Sequence, residues 1–175
     1  MIIKYTNFSD GVHNLVLKEN SEKLGLEHLF FGDIIVDCNM DKSPHQIVLR
    51  CKISAHSKLV CDRCNNEYTT VLKNNFLLSF LFTKNEAGSD DFNLRYLSPE
   101  QDKIDISNDV FEYAELSIPM KNLCREDCKG LCPKCGTNMN EKQCDCKTEI
   151  ENDVWTPLKK LLNSVPEGKD NLKTK

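Results

Sequence analysis

The chain has 175 residues, enough for one domain with an appendage and too few for an elaborate enzyme. Its formal net charge of −4 excludes a protein that coats nucleic acid through bulk electrostatics. The charge is uneven, because residues 1–120 carry 12 basic and 18 acidic side chains whereas residues 121–175 carry 11 and 9. We therefore expect any RNA contact at a local basic patch or beside a protein partner.

The N-terminal segment lacks the apolar stretch of a secretory signal, and no later stretch approaches the roughly 18 apolar residues of a membrane span. We therefore expect a cytoplasmic protein without membrane contact. In that compartment thiols stay reduced, which disfavours a disulfide framework as the explanation for the ten cysteines. Cys38 and Cys51 lie in strand-like surroundings, where we expect unpaired, buried, apolar side chains.

Alternating apolar residues predict a β-rich first half. Short candidates lie at residues 2–5 and 13–17, a long alternation runs from Ile47 to Ala55, and another from Phe76 to Phe82. The pair Cys61-x-x-Cys64 falls between the two long strands. It is predicted at the tip of an antiparallel hairpin, where a tight turn holds both sulfurs on one side.

Residues 85–102 lose periodicity and gain acidic side chains, which predicts an exposed loop. A helix is predicted next, with Ser107 as its cap and Pro119 as its end. Its carboxylates are expected to face solvent: Asp105, Asp109, Glu112 and Glu115.

Residues 124–146 have too little apolar content to fold by burial alone, and metal binding would hold them together. An amphipathic helix is predicted behind Thr156 and Pro157, followed by a disordered tail from Pro166. The predicted class is α+β, with an antiparallel β-rich domain and short helix over residues 1–120. A zinc-binding segment over 121–150 and a C-terminal helix and tail over 151–175 complete the predicted organisation.

Eight cysteines form four close pairs, the number needed for two four-thiolate zinc sites. The pairs are Cys61 with Cys64, Cys124 with Cys128, Cys132 with Cys135, and Cys144 with Cys146. Iron–sulfur ligation is the main alternative, since Cys128, Cys132 and Cys135 have the spacing used by radical enzymes. Only 40 residues follow Cys135, too few for the barrel of those enzymes, and two structural zinc ions are therefore favoured.

The hairpin pair CDRC, the segment IDIS, the block CREDCKGLCPKCGTNMN and the motif WTPLKKL together resemble the YceD family of large ribosomal RNA subunit accumulation proteins. The resemblance is strongest over residues 104–161. It implies a bacterial cytosolic protein, with chloroplast versions, that is needed for accumulation of large-subunit (23S) ribosomal RNA and has no established enzymatic activity.

The resemblance also implies how the cysteines divide. One site would hold Cys61, Cys64, Cys124 and Cys128, and the other Cys132, Cys135, Cys144 and Cys146. A local pattern agrees, because Gly136 after Cys132-Pro-Lys-Cys135 lets the backbone turn its amides toward the sulfurs. Sequence spacing also allows a site in which Cys124 and Cys128 join Cys132 and Cys135.

No residue stands out as catalytic, and no small-molecule substrate is expected. The four histidines are isolated from one another and from the cysteine pairs, and closed thiolate shells leave no coordination position for water. Two function classes remain. The first is a ribosome-biogenesis factor that binds a large-subunit precursor or 23S rRNA, directly or with ribosomal proteins. The second is a redox- or metal-responsive zinc regulatory protein with an activated thiolate.

The candidate RNA-binding residues lie in and after the cysteine block: Lys121, Arg125, Lys129, Lys134, Lys142, Lys147, Lys159 and Lys160. A rigid loop would present them at a lower entropic cost of binding. The simpler interpretation is that these side chains only solvate a metal-binding module.

Overall fold

The computed structural model of the protein describes residues 1–83, 94–98, 100–146 and 158. The predicted C-terminal helix and tail therefore lie outside the described residues, apart from Leu158, whose backbone is helical.

The described residues form seven strands and one α-helix. Two short 3₁₀ turns accompany them, at Tyr5–Asn7 and Glu22–Leu24. The strands are β1 (Ile2–Ile3), β2 (Gly11–Asn20), β3 (Phe30–Lys42), β4 (Gln46–Val60), β5 (Glu67–Leu81), β6 (Leu94–Tyr96) and β7 (Ile104–Asp105), and the helix is α1 (Ser107–Glu115). In this part of the chain no helix combines the length and apolar character that crossing a bilayer requires.

Five strands form one sheet in the order β2-β3-β4-β5-β6, and β1 pairs with β7 in a separate two-stranded ribbon. All pairs are antiparallel except β5 with β6. The predicted hairpin is confirmed, because β4 and β5 pair continuously from Gln46 opposite Leu81 to Val60 opposite Glu67. This long hairpin carries its loop, residues 61–66, away from the centre of the sheet.

One face of the sheet forms the core, as the alternation in β4 predicted. The inward residues of β4 are all buried: Ile47, Leu49, Cys51, Ile53 and Ala55. Helix α1 covers this face with Val110 and Ala114, and the Tyr113 ring stacks on Phe76 at 4.7 Å between centroids. The helix thereby places the chain that follows it beside the end of the hairpin.

The range of strand β3 was not predicted, although Cys38 was placed in strand-like surroundings. Its alternating residues Ile34, Val36, Cys38 and Met40 are all buried. The expectation of free thiols at Cys38 and Cys51 is wrong in this structure. The two residues lie directly opposite each other on β3 and β4 and form a disulfide. Strand register, which spacing in the sequence does not reveal, brings them together.

The start of α1 also differs from the prediction. Ser107 is its first helical residue, and Ile106 occupies the N-cap position without a side-chain cap. The carboxylate of Asp105 instead accepts a 2.9 Å hydrogen bond from the Ser107 backbone N–H.

Asp109 is buried, at 1% exposure, rather than facing solvent with the other carboxylates of the helix. It binds the guanidinium of Arg95 through both carboxylate oxygens. Arg95 belongs to β6, a strand inside the segment that was predicted to be a loop. A charge inside the core is tolerated because this two-point pairing compensates it.

Candidate metal centre

The structure gathers the eight paired cysteines into two groups of four. The first cluster is Cys61, Cys64, Cys124 and Cys128; the second cluster is Cys132, Cys135, Cys144 and Cys146. Within each cluster all sulfur atoms lie within 4.8 Å of one another. These are the sets that the family resemblance implied. The structure does not group Cys124 and Cys128 with Cys132 and Cys135, the pairing that spacing had left open.

The hairpin loop positions half of the first cluster. The Cys61 N–H donates to the Asn66 carbonyl at 2.9 Å, and the Asn65 N–H donates back to the Cys61 carbonyl at 2.8 Å. Asn65 adopts a left-handed φ of 57° to close this turn. The loop is thus a knuckle that turns Cys61 and Cys64 toward one point.

The segment after α1 supplies the other half and is bonded to the knuckle. The Asp62 N–H donates to the Asn122 carbonyl at 2.8 Å, and the Asn122 N–H donates to the Asp62 carboxylate at 2.6 Å. The Arg63 guanidinium donates to the Cys128 carbonyl at 2.8 Å, and the Arg63 carbonyl accepts from the Leu131 N–H at 3.0 Å. These bonds connect chain segments about 60 residues apart and bring the four sulfurs together.

The sulfur geometry fits one tetrahedral metal ion. Two edges of the first cluster are 3.8 Å, between the Cys61 and Cys128 sulfurs, and 3.7 Å, between those of Cys64 and Cys124. A zinc–sulfur bond of about 2.3 Å gives a tetrahedron whose edges are about 3.8 Å. This spacing matches four thiolates on a single ion, whereas the ligands of an iron–sulfur cluster bind several different irons.

The first cluster lies in a largely apolar pocket. Cys61, Cys64 and Cys128 are buried, and Tyr68 and Leu123 pack against them. Backbone N–H groups nonetheless donate to the sulfurs, among them those of Arg63 and Cys64 to Cys61 and that of Gly130 to Cys128. Such donors stabilise thiolate charge and orient the ligands.

The second cluster repeats the knuckle. The Cys132 N–H donates to the Thr137 carbonyl at 2.8 Å, the Gly136 N–H donates to the Cys132 carbonyl at 2.9 Å, and Gly136 has a φ of 72°. These are the sequence offsets of the Cys61–Asn66 turn. The sequence-based expectation that Gly136 allows the turn agrees with its left-handed backbone.

The two clusters differ in accessibility. Only Cys132 of the second cluster is buried, while Cys144 and Cys146 are half-buried and Cys135 is exposed. The Cys135 sulfur lies 3.2 Å from the Thr137 hydroxyl oxygen. An oxidant or chelator would therefore reach the second cluster more easily than the first.

The thiol pKa values in the first cluster are spread apart. Hydrogen bonds from the backbone of Cys124, and then of Cys64 and Arg63, lower the pKa of Cys61 to about 6. Burial, and then hydrogen bonding with the neighbouring sulfurs, raises the pKa of Cys124 to about 12.

The other two thiols of the first cluster also differ. Burial acts to raise the pKa of Cys128, but hydrogen bonds from the Asn140 side chain and then the Gly130 backbone outweigh it, so this pKa is lowered, whereas that of Cys64 is raised. Without a cation the pocket thus favours thiolates at Cys61 and Cys128 and resists accumulating four, and a divalent ion would remove that repulsion.

The second cluster shows the same spread. The Thr137 hydroxyl and then its backbone N–H lower the pKa of Cys135 to about 6, whereas hydrogen bonding with Cys135 and then burial raise the pKa of Cys146 to about 12. Both clusters thus have the chemistry of sites that could hold a metal ion.

The basic residues of the cysteine block surround the clusters. The exposed ones within the described residues are Lys121, Arg125, Lys129, Lys134 and Lys142. In that part of the chain the four lysines have no ion-pair partner, whereas Arg125 pairs with Asp127 at 3.5 Å and donates to Asn140 at 2.7 Å. The predicted Lys147, Lys159 and Lys160 lie outside the described residues.

Three polar residues at the site were not anticipated from the sequence. Arg63 and Asn66 bond the first knuckle to later segments, and Asn140 donates to the Cys128 sulfur. The asparagines in TNMN after the second knuckle are the one visible signal, since loop asparagines readily hydrogen-bond to nearby backbone.

Comparison with known proteins adds an independent finding. A chloroplastic protein of Arabidopsis thaliana, "Large ribosomal RNA subunit accumulation protein YCED homolog 1", is 36% identical over 70 residues, which are 40% of this chain and 22% of that protein. The protein of the same name from Zea mays is 41% identical over 59 residues, 33% of this chain and 20% of that protein. The alignments thus span about a fifth of these curated relatives, and no solved structure matches the chain.

The profile of the family described as "Large ribosomal RNA subunit accumulation protein YceD" matches residues 49–162. That range contains both cysteine clusters, α1 and all of the long hairpin except its first three residues. The chain belongs to the YceD family.

Proposed function

We propose that this protein is a non-enzymatic, zinc-containing ribosome-biogenesis factor of the cytoplasm that supports accumulation or processing of large-subunit (23S) ribosomal RNA. The observation that carries the proposal is the pair of four-cysteine clusters, inside the range that matches a family named for large ribosomal RNA subunit accumulation. The division into a β-rich domain over 1–120 and a zinc-binding segment over 121–150 is part of the proposal.

Zinc would be structural at both clusters. Four thiolates close a tetrahedral shell, so an ion held there has no open position for water or substrate, and we assign no catalytic residue. In the first cluster the ion would join the hairpin loop to the segment after α1. In the second it would hold a loop with little apolar side-chain packing of its own.

Contact with RNA would come from the basic residues around the clusters. Each zinc with four thiolates has a net charge of about −2. The flanking lysines would therefore give the zinc-binding segment a positive outer surface around a negative centre. Lys129, Lys134 and Lys142 are exposed on a segment whose backbone is bonded to the knuckles. A held loop loses less conformational entropy on binding than a mobile one. Because the whole chain is acidic, ribosomal proteins of a precursor would supply further contacts.

The test is the triple change Lys129→Glu, Lys134→Glu and Lys142→Glu, assayed in cells by sedimentation of the tagged protein with large-subunit precursors. We expect reduced co-sedimentation and less large-subunit RNA, with zinc content and folding intact. The matched control reverses three exposed lysines of the β-rich domain, Lys52, Lys73 and Lys103, with the same total charge change. If the control and the test variants sediment alike, the basic surface of the module is not the contact.

A redox-responsive role is the second candidate, favoured by the exposure of Cys135. The Cys135 thiolate would attack an oxidant such as hydrogen peroxide, forming an S–O bond as the O–O bond breaks, which gives a sulfenic acid and releases hydroxide. The oxidised sulfur would bind the metal less tightly, so the second cluster would release its metal first. Release of one zinc per chain at low oxidant doses, with a matching loss of ribosome association, would support this role. Release without any change in ribosome association would exclude it.

A further inference from the structure

We propose that Asn140 couples the two clusters, so that metal binding at the second cluster strengthens metal binding at the first. This inference rests on the proposed metal content of the protein. It assigns Asn140 as a positioning residue that belongs to the loop of one cluster and supports a ligand of the other.

The Asn140 side chain uses both ends of its amide. Its nitrogen donates to the Cys128 sulfur at 3.3 Å and to the Asn138 side-chain oxygen at 2.8 Å. Its oxygen accepts from the Lys129 backbone N–H at 2.8 Å and from the Arg125 guanidinium at 2.7 Å. These four bonds fix the orientation of the amide, so its N–H group is aimed at a sulfur of the first cluster.

Asn140 itself belongs to the second cluster by sequence. It lies between Cys135 and Cys144, so a metal bound by these cysteines would hold both ends of the loop that carries it. This loop buries little apolar surface, and without a metal its order would depend on a few hydrogen bonds. Metal at the second cluster would therefore reduce the conformational entropy that Asn140 loses when it bonds to Cys128.

Other hydrogen bonds also connect this loop to the chain around the first cluster. Glu141 accepts from Asn66 of the first knuckle at 3.3 Å and from Asn138 at 2.8 Å. The Met139 N–H donates to the Gly130 carbonyl at 2.9 Å, close to Cys128. Within the described residues, Asn140 is the side chain of this loop that donates to a sulfur of the first cluster. The effect of the donor to the Cys128 sulfur can therefore be tested separately from the effect of the other contacts between the loop and the first knuckle.

The coupling has a predictable size. Loss of a hydrogen-bond partner of a metal ligand typically weakens metal binding about 10- to 100-fold. Because coupling is reciprocal, metal at the first cluster should strengthen binding at the second by the same factor. During a metal titration, the fraction of chains that carry one ion should therefore be smaller than the fraction expected for two independent sites.

The experiment is a zinc titration of the full-length chain followed by native mass spectrometry, with first-cluster affinities from competition with a chromophoric chelator. Asn140→Leu removes the donor at similar volume. Asn140→Asp keeps an oxygen that can accept from Lys129 and Arg125, and serves if the leucine variant does not fold. Each change is made in the intact chain and in a Cys144→Ser, Cys146→Ser background that lacks the second site. Asn66→Ala is the matched control, because it removes an amide contact between the same loops without removing a side-chain donor to sulfur.

We expect both Asn140 variants to weaken the first cluster about 10- to 100-fold in the intact chain and by less than about threefold in the background without the second site. The one-ion species should become more populated, and Asn66→Ala should leave it nearly unchanged. Equal effects in both backgrounds, or equal effects of Asn140→Leu and Asn66→Ala, would overturn the coupling. A chain that binds no zinc at all would instead overturn the metal content on which the proposed function depends.

Discussion

Gly130 lies directly against the carbonyl oxygen of Arg63, and a Cβ added to Gly130 would be 2.9 Å from that oxygen. Its φ of +76° is also unfavourable for other residues. Leu131, the next residue, donates its N–H to the same carbonyl at 3.0 Å. The backbone of the first knuckle therefore contacts the backbone just before the second knuckle directly, and a side chain at Gly130 would push the two segments apart.

Gly130→Ala should destabilise this contact through both backbone strain and steric overlap, by about 2–4 kcal/mol in the free energy of unfolding. Gly25→Ala is the control, since Gly25 has a similar φ of +74° but its added Cβ would meet nothing nearer than 3.9 Å. That change should cost only the strain, about 1–2 kcal/mol. Urea denaturation measures both, and equal losses would mean that the close approach at Gly130 is unimportant.

The two clusters should differ in how far their loss spreads. Cys64→Ser removes a sulfur from the cluster that joins the hairpin to the segment after α1. Hydrogen exchange should therefore accelerate in the β-rich domain as well as in residues 121–146. Cys135→Ser removes a sulfur from the more exposed second cluster, and exchange should accelerate mainly over residues 129–146. If both variants loosened β4 and β5 equally, the first cluster would not be the main connection between these parts.

Zinc binding should strengthen as the pH rises. In the metal-free protein the N–H donor of Asn66 lowers the pKa of Cys64, but burial and then hydrogen bonds with the Cys61 and Cys128 sulfurs together outweigh it, so the pKa of Cys64 is raised. The pKa of Cys124 is about 12. Both cysteines therefore carry protons at neutral pH, and zinc must displace them. Releasing two protons increases the affinity by roughly a hundredfold per pH unit.

Competition with a chelator at several pH values, corrected for the chelator's own protonation, measures this slope. Calorimetry in buffers of different ionisation enthalpy counts the released protons independently. An affinity that did not change across neutral pH would contradict the proton count.

The disulfide between Cys38 and Cys51 predicts a particular number of thiols. The denatured but unreduced chain, stripped of metal, should show the eight thiols of the two clusters, and all ten cysteines should react after reduction. A double Cys38→Ala, Cys51→Ala variant should give eight in both conditions. Ten thiols before reduction would mean that the two residues are the apolar, unpaired side chains that the sequence alone suggested.

Several features of the fold and the site are readable from local patterns. The alternation through β4 and the second alternation in β5 predicted the hairpin and its buried face, since a period of two is a property of neighbouring residues. The four cysteine pairs and a backbone turn at Gly136 were likewise predicted, because a knuckle closes within six residues, and the structure gives Gly136 a left-handed φ. Spacing could not decide which pairs lie together. The family resemblance favoured the division that the structure shows, and the local pattern at Gly136 agreed with it.

Tertiary structure decided whatever depends on distant segments. Register between β3 and β4 put Cys38 opposite Cys51, and the pairing of β6 with β5 brought Arg95 to Asp109 and buried a carboxylate that local pattern placed in solvent. Asn140 bonds to Cys128 in a region where the Leu131 N–H donates to the Arg63 carbonyl and the Met139 N–H donates to the Gly130 carbonyl. Sequence spacing determines which ligands a turn can offer, but the free energy that assembles two turns comes from contacts between segments that sequence order leaves far apart.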